Sequence, residues 1–142
     1  MIDELVAIAT AKINTPLNKV WEALINPELI KQYMFGTNVT SDFKEGSSIV
    51  WKGEWNGKAY EDKGTITTAV KEKMLQYTHF SAMDGVKDNP ENYRTVTTEL
   101  FQEPGGVHVT ITHDNNPTEK AREESEKNWQ TILDSMKKLL EK

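Results

Sequence analysis

The stretch "TPLNKVWEALINPELIKQYM", Thr15 to Met34, reads as two short helices in series, and its place in the chain decides the fold. Thr15 is a hydroxyl residue suited to a helix N-cap. Pro16 suits the first helical position, where a missing N–H costs nothing. Leu17, Val20, Trp21, Leu24 and Ile25 then recur at i, i+3, i+4, i+7 and i+8, which is one apolar helix face. Asn26-Pro27 repeats the start signal, and a proline disfavours helical backbone at the residue before it. Leu29, Ile30, Tyr33 and Met34 therefore continue on a new axis, and Gly36 is placed to end it.

Outward from this pair the pattern changes. Leu5 to Asn14, rich in Val, Ile, Ala and Thr, reads as a strand. From Thr37 to about His113 the period is two, with strands expected at Ser48 to Trp55, Lys58 to Val70, Leu75 to Ser81, Tyr93 to Gln102 and Val107 to His113. Asn56-Gly57 is a preferred two-residue hairpin turn, and "EPGG" (103–106) marks another hairpin. Gly64 marks a bulge or a close approach, and "AMDGVKDNPEN" (82–92) reads as a loop. Asn116-Pro117-Thr118-Glu119 is a third cap, with Glu119 in the capping-box position, opening a long helix to about Leu140. The order is strand, two helices, about six strands, long helix. It predicts an α+β fold: a curved antiparallel sheet of six to seven strands wrapped around a long C-terminal helix, with the short helices plugging one end. One domain is expected over 1–142, with no repeat or linker.

Bulk properties narrow the functional classes. The net charge is −5, and the basic pairs Lys71/Lys73 and Lys137/Lys138 sit among acids or at a helix end. Nucleic acid is therefore not expected as a partner, because phosphate contacts need a basic face. Cysteine is absent, which removes disulfides, thiolate metal sites and a cysteine nucleophile. No run reaches membrane-spanning length and the N-terminus lacks a signal-peptide pattern, so a cytoplasmic protein is expected.

Motifs that carry chemistry are few. There is no His-Glu-x-x-His, no Gly-x-Ser-x-Gly elbow and no phosphate-binding glycine loop, so neither a metal nor a cofactor is expected. On alternation His79 shares a face with Leu75 and Tyr77, and His113 with Val109 and Ile111. A histidine so placed serves either as a hydrogen-bonded strand residue or as an acid–base group. His108 falls on the other face. Asp114 points away from its neighbour His113, and Glu61 and Asp62 point opposite ways, so neither pair is a ready dyad.

The segments "INTPLNKVWEALINPELIKQYM", "GTI…EKMLQYTH", "TVTTELFQEPGGVHVTITHDN" and "NWQTILDSMKKLL" resemble the activator of heat-shock-protein-90 ATPase homologue-like family. That family lies within the START-like, or SRPBCC, helix-grip superfamily. Pro16, Val20, Trp21, Ala23, Leu24 and the helix around Trp129 carry the resemblance. It implies a cavity between the long helix and the concave sheet face. Candidates to line it are Tyr33, Trp51, Trp55, Tyr77, His79, Trp129, Leu133 and Met136, with Met83 at the rim; the other reading of the same residues is a filled core. The first functional expectation is a small apolar or amphipathic ligand held in that cavity without catalysis. The alternative is a chaperone partner whose ATPase the chain stimulates. A third reading is an enzyme using His79 or His113.

Overall fold

The computed structural model describes residues 5–55, 57–81, 85 and 87–141, and of Trp55 the backbone alone. In chain order the elements are β1 (Ala7–Ile13), α1 (Leu17–Ile25), α2 (Pro27–Tyr33), β2 (Asn38–Ser41), β3 (Ser48–Trp55), β4 (Lys58–Val70), β5 (Met74–Ser81), β6 (Arg94–Glu103), β7 (Gly106–His113) and α3 (Glu119–Leu140). The strands form one antiparallel sheet in the order β1-β7-β6-β5-β4-β3-β2. This is the helix-grip arrangement expected from the element order. Alternation also gives the correct inner face: Leu75 and Tyr77, Val96, Thr98 and Leu100, and Val107, Val109, Ile111 and His113 are all buried. The strand β2 escapes pattern reading because "NVTS" is short and polar, with only Val39 buried.

β1 and β2 are the two edges of the sheet, and each is covered differently. α3 runs beside β1 in the same direction, and its side chains meet the strand's unpaired backbone. Glu126 accepts from Ile8 N–H at 3.2 Å, and the Gln130 amide donates to Thr10 C=O at 3.0 Å. The Lys137 ammonium donates to Lys12 C=O at 2.7 Å, and Glu141 accepts from Asn14 N–H at 2.8 Å. Carboxylates face N–H groups, and an amide and an ammonium face carbonyls. The lengths agree, because helix residues 126–141 span about 22 Å and strand residues 8–14 about 20 Å. α2 packs against both β2 and α3, and α1 against α3 and β7. The short helices thus bridge the space from the long helix to the far edge of the sheet.

Two of the three expected caps are placed differently. Pro16, not Thr15, is the N-cap of α1, with extended backbone (φ −62, ψ 147), so Leu17 is the first helical residue. α2 starts as expected, with Asn26 Oδ1 accepting from Glu28 N–H at 3.0 Å. In α3 the cap is Thr118, whose Oγ1 accepts from Ala121 N–H, and Glu119 pairs with Arg122 instead of closing a capping box. Asn116 is withdrawn from capping because it is buried and its side-chain polar groups are engaged. Its amide donates to Leu5 C=O and His113 C=O, and its Oδ1 accepts from Ser125. A buried amide must be satisfied in this way. After α2, Phe35 (φ 55) and Gly36 (φ 91) take left-handed backbone and turn the chain into β2.

The connection at 56–57 has the expected two-residue length, since Trp55 stands opposite Lys58; Asn56 itself lies outside the described residues. The register shift of the sheet falls at Ile66/Thr68, past Gly64. Gly64 is a close-approach residue: a Cβ there would lie 1.7 Å from the Thr78 carbonyl oxygen of β5. Gly64→Ala is therefore expected to cost about 2–3 kcal/mol through forced displacement of paired strands. Gly57→Ala, at φ 79 with open space around it, should cost only the left-handed penalty of about 1–2 kcal/mol. Urea unfolding of both variants checks the order, and equal losses would contradict the close-approach role.

Candidate functional site

Between α3 and the concave sheet lies a cavity of about 520 Å³. Its walls come from β3 to β7, from α3, and from the turn after α2. Trp51, Tyr77, Trp129, Met34, Phe35 and Ile132 supply apolar and aromatic surface. Trp51 packs at 5.0 Å ring-centroid distance against both Tyr77 and His79. Phe35 borders the cavity while 66% exposed, so it stands at the mouth.

A polar row crosses the inner wall. Asp62 of β4 stands opposite Ser81, so the next inward residue of β5, His79, is its diagonal neighbour. His79 Nε2 bonds Asp62 Oδ2 at 2.9 Å. Arg94 of β6 pairs in register with His79, and His113 of β7 pairs with Val96, two residues further along β6. The histidine rings are 6.3 Å apart, edge to face. From the helix side, Trp129 Nε1–H donates to His113 Nδ1 at 2.7 Å.

That last bond fixes the state of His113. An indole N–H can only donate, so Nδ1 must accept, and the neutral ring carries its proton on Nε2. Burial pushes the His113 imidazole down to about 3, with the nearby charges of Arg94 and His79 acting in the same direction. The ring is thus neutral across the physiological range. Tyr33 and Tyr77 are likewise held as neutral phenols, raised well above the ordinary tyrosine range by burial and, for Tyr33, secondarily by Tyr77.

The candidates named from sequence separate into groups. Trp51, Tyr77, His79 and Trp129 border the main cavity. Tyr33 and Met136 border instead a smaller void of about 30 Å³ deeper in the core, shared with Trp51, Tyr77 and Trp129. The Tyr33 hydroxyl turns away to donate to Ala23 C=O at 2.8 Å. Leu133 borders neither space and is fully buried. It lies three residues after Gln130 and four before Lys137, on the strip of α3 that faces β1. The Trp55 side chain and Met83 lie outside the described residues.

Several cavity residues were not singled out from the sequence: Asp62, Tyr60, Thr37, Arg94, Ser125 and Asn128. For Asp62 a signal existed, because it shares strand parity with the buried Ile66. Tyr60 reaches the site by lying across Gly53 and sharing a hydrogen bond of 2.7 Å with Thr37. Among the described residues no group of three or more His, Asp or Glu is placed to hold a metal ion, and no helix is long and apolar enough to cross a membrane.

Residues 14–141 match the family model described as Activator of Hsp90 ATPase homolog 1-like protein. No curated protein matches the chain. Among solved structures, the chain is similar to ChR145 from Cytophaga hutchinsonii, at 57% identity over 99% of this chain and 97% of that one, with a TM-score of 0.86. The fold is shared with the Aha1 dimer from Colwellia psychrerythraea, at 19% identity over 99% and 97% of the two chains and a TM-score of 0.74. It is shared also with DynU16 of the dynemicin biosynthetic locus, at 13% identity over 96% of this chain and 47% of that one, with a TM-score of 0.80.

The depressed basicity of His113 sets a pH dependence. The unfolded ring protonates near its ordinary value of 6.5, whereas the folded ring does so only near 3. Between those values the unfolded state binds the extra proton, so stability falls as the pH is lowered. From pH 7.5 to pH 4.5 this one ring should remove about 2–3 kcal/mol. His113→Gln, whose side-chain oxygen can accept from Trp129, should lack that component. Urea unfolding of both proteins at the two pH values measures the difference, and parallel losses would contradict the assignment.

Proposed function

The chain belongs to the Activator of Hsp90 ATPase homolog 1-like family, and from that membership together with the cavity we propose that it binds a small, largely apolar ligand between α3 and the sheet. The observation that carries the reading is the cavity itself. Its volume of about 520 Å³ falls within the range of small-molecule sites, roughly 300–1,000 Å³. Its surface has the usual make-up of such sites, with aromatic and aliphatic walls and a few converging polar groups. In this reading Trp51, Tyr77, Trp129, Ile132 and Phe35 form the apolar contact. Asp62, His79 and His113 orient the ligand from the inner wall, and Tyr33 and Met136 support the floor from the second void. Leu133 contributes only to the seat of the helix. The protein acts in the cytoplasm as a carrier or sensor of this ligand.

The family description also names an ATPase activator, which keeps a chaperone partner as the second reading. The two separate cleanly, because a carrier's ligand must change the cavity. Trp51 and Trp129 both border it, so intrinsic fluorescence reports occupancy. Titration with a long-chain fatty acid, a steroid and a naphthalene should give saturable quenching with at least one class. At one hundred times its dissociation constant that ligand should add about 2.7 kcal/mol of stability. Ile132→Trp, which fills the space from the helix side, should weaken binding at least about tenfold while circular dichroism stays native. No response to any class would contradict the carrier reading, and stimulation of a heat-shock-protein-90 ATPase by the apo chain would then favour the second.

A further inference from the structure

The helix α2 ends with its residues in an unusual order. Tyr33 is its last helical residue, Met34 is the C-cap, and Gly36 N–H donates to Lys31 C=O at 2.8 Å. That bond, reaching back to the third residue from the helix end, marks a helix closed through a left-handed residue directly after the cap. The left-handed position usually holds glycine. Here it holds Phe35, at φ 55, and the glycine stands one residue later, at φ 91. A side chain in left-handed backbone crowds the following carbonyl oxygen, so phenylalanine costs this turn stability that glycine would not. Phe43, Glu72 and Asn115 also have positive φ. Asparagine is at ease there, Phe43 is half-buried beside the deeper void, and Glu72 borders neither space. Among the described residues Phe35 alone joins left-handed backbone to an exposed aromatic ring at the edge of the main cavity.

A chain of hydrogen bonds holds this turn. Thr37 Oγ1 lies 2.9 Å from Met34 C=O and 2.7 Å from the Tyr60 hydroxyl. A carbonyl can only accept, so Thr37 gives its hydrogen to Met34, and the Tyr60 O–H donates to Thr37. The turn is thereby tied to β4. Gly53 of β3, paired with Tyr60, makes room for the tie, because a Cβ there would lie 2.6 Å from the Tyr60 oxygen. Met34, Thr37 and Tyr60 border the main cavity together with Phe35. The Phe35 ring thus stands in water beside a largely apolar space, on a strained turn that these bonds hold in place. Movement of the ring into that space would remove apolar area from water and release the left-handed backbone. The bonds of the turn oppose it.

We propose that the turn from Met34 to Thr37 is a gate to the cavity: the Tyr60–Thr37–Met34 bonds hold Phe35 outside, and when they part the ring swings inward across the mouth. This rests on the cavity being a binding site and adds how it is entered. Loss of the latch shifts the balance toward the closed mouth. A ligand must then wait for opening both to enter and to leave, so both rates fall with the open fraction. A residue that only touches the ligand changes chiefly dissociation.

Stopped-flow fluorescence with N-phenyl-1-naphthylamine, a neutral probe that brightens in apolar surroundings, reads both rates. Tyr60→Phe keeps the ring over Gly53 and removes the donor. It should slow association and dissociation at least about threefold each relative to wild type. Thr37→Val removes the middle hydroxyl with little change of shape; it should act alike, and it decides the matter if Tyr60→Phe does not fold. Adding Phe35→Asn to either variant, with a residue that tolerates left-handed backbone, should return association to the wild-type rate or above. Unchanged rates in the latch variants, or a change in dissociation alone, would overturn the gate while leaving the cavity as a binding site. No binding of the probe to the wild-type protein would overturn both.

Discussion

The free edge of β1 is the constraint on which the rest of this molecule depends. An edge strand presents unpaired N–H and C=O groups, and a sheet must cover or blunt them. Here the cover is α3, whose Glu126, Gln130, Lys137 and Glu141 each engage one backbone group of β1 or of Asn14 just beyond it. Single bonds of this exposed kind contribute little, about 0.5–1.5 kcal/mol each. Together they fix both the position of the helix along the strand and its rotation about its own axis. The core then follows: Leu133 and Met136 are fully buried, and Leu133 is the apolar member of the strip that faces β1.

Fixing the helix at one edge leaves the concave face uncovered toward β3, β4 and β5. Bulky α3 side chains do not fill that gap completely, and α1 and α2 close only one end of it. The same rotation that seats Leu133 on β1 turns Trp129 and Ile132 over the cavity. Trp129 then reaches His113 and occupies its Nδ1, which places the hydrogen of the neutral ring on Nε2. A contact between helix and sheet thus determines the hydrogen-bonding character of an atom on the cavity wall.

The architecture was legible because it is written in periodicity. The two helices of Leu17 to Tyr33, the alternating strands and the Trp129-bearing helix each carry their own signal, and loop lengths leave few ways to join them. The site was less legible because a cavity is a property of what does not pack. Trp51 and Tyr77 on neighbouring strands, and Trp129 opposite them, can be anticipated from alternation and helical spacing. Leu133 belongs to the same helix pattern, and only the α3–β1 bonds reveal which strip faces the strand. Asp62 illustrates the remaining gap. Its parity was readable, but a charged residue beside Glu61 in a polar strand looks like surface until register brings it beside His79. Asn116 and Thr118 teach the same lesson for caps: both are good capping residues, and burial of Asn116 decides between them.

The most direct test of this account is a long-range proton–nitrogen correlation spectrum of the histidine side chains, recorded from pH 7.5 down to pH 4.5. His113 is expected to show a protonated Nε2 and an unprotonated, hydrogen-bonded Nδ1 throughout, without titrating in that window. A His113 ring that carries its proton on Nδ1, or that becomes doubly protonated near pH 6, would contradict it. Either result would remove the donor that Trp129 is held to set in the cavity wall.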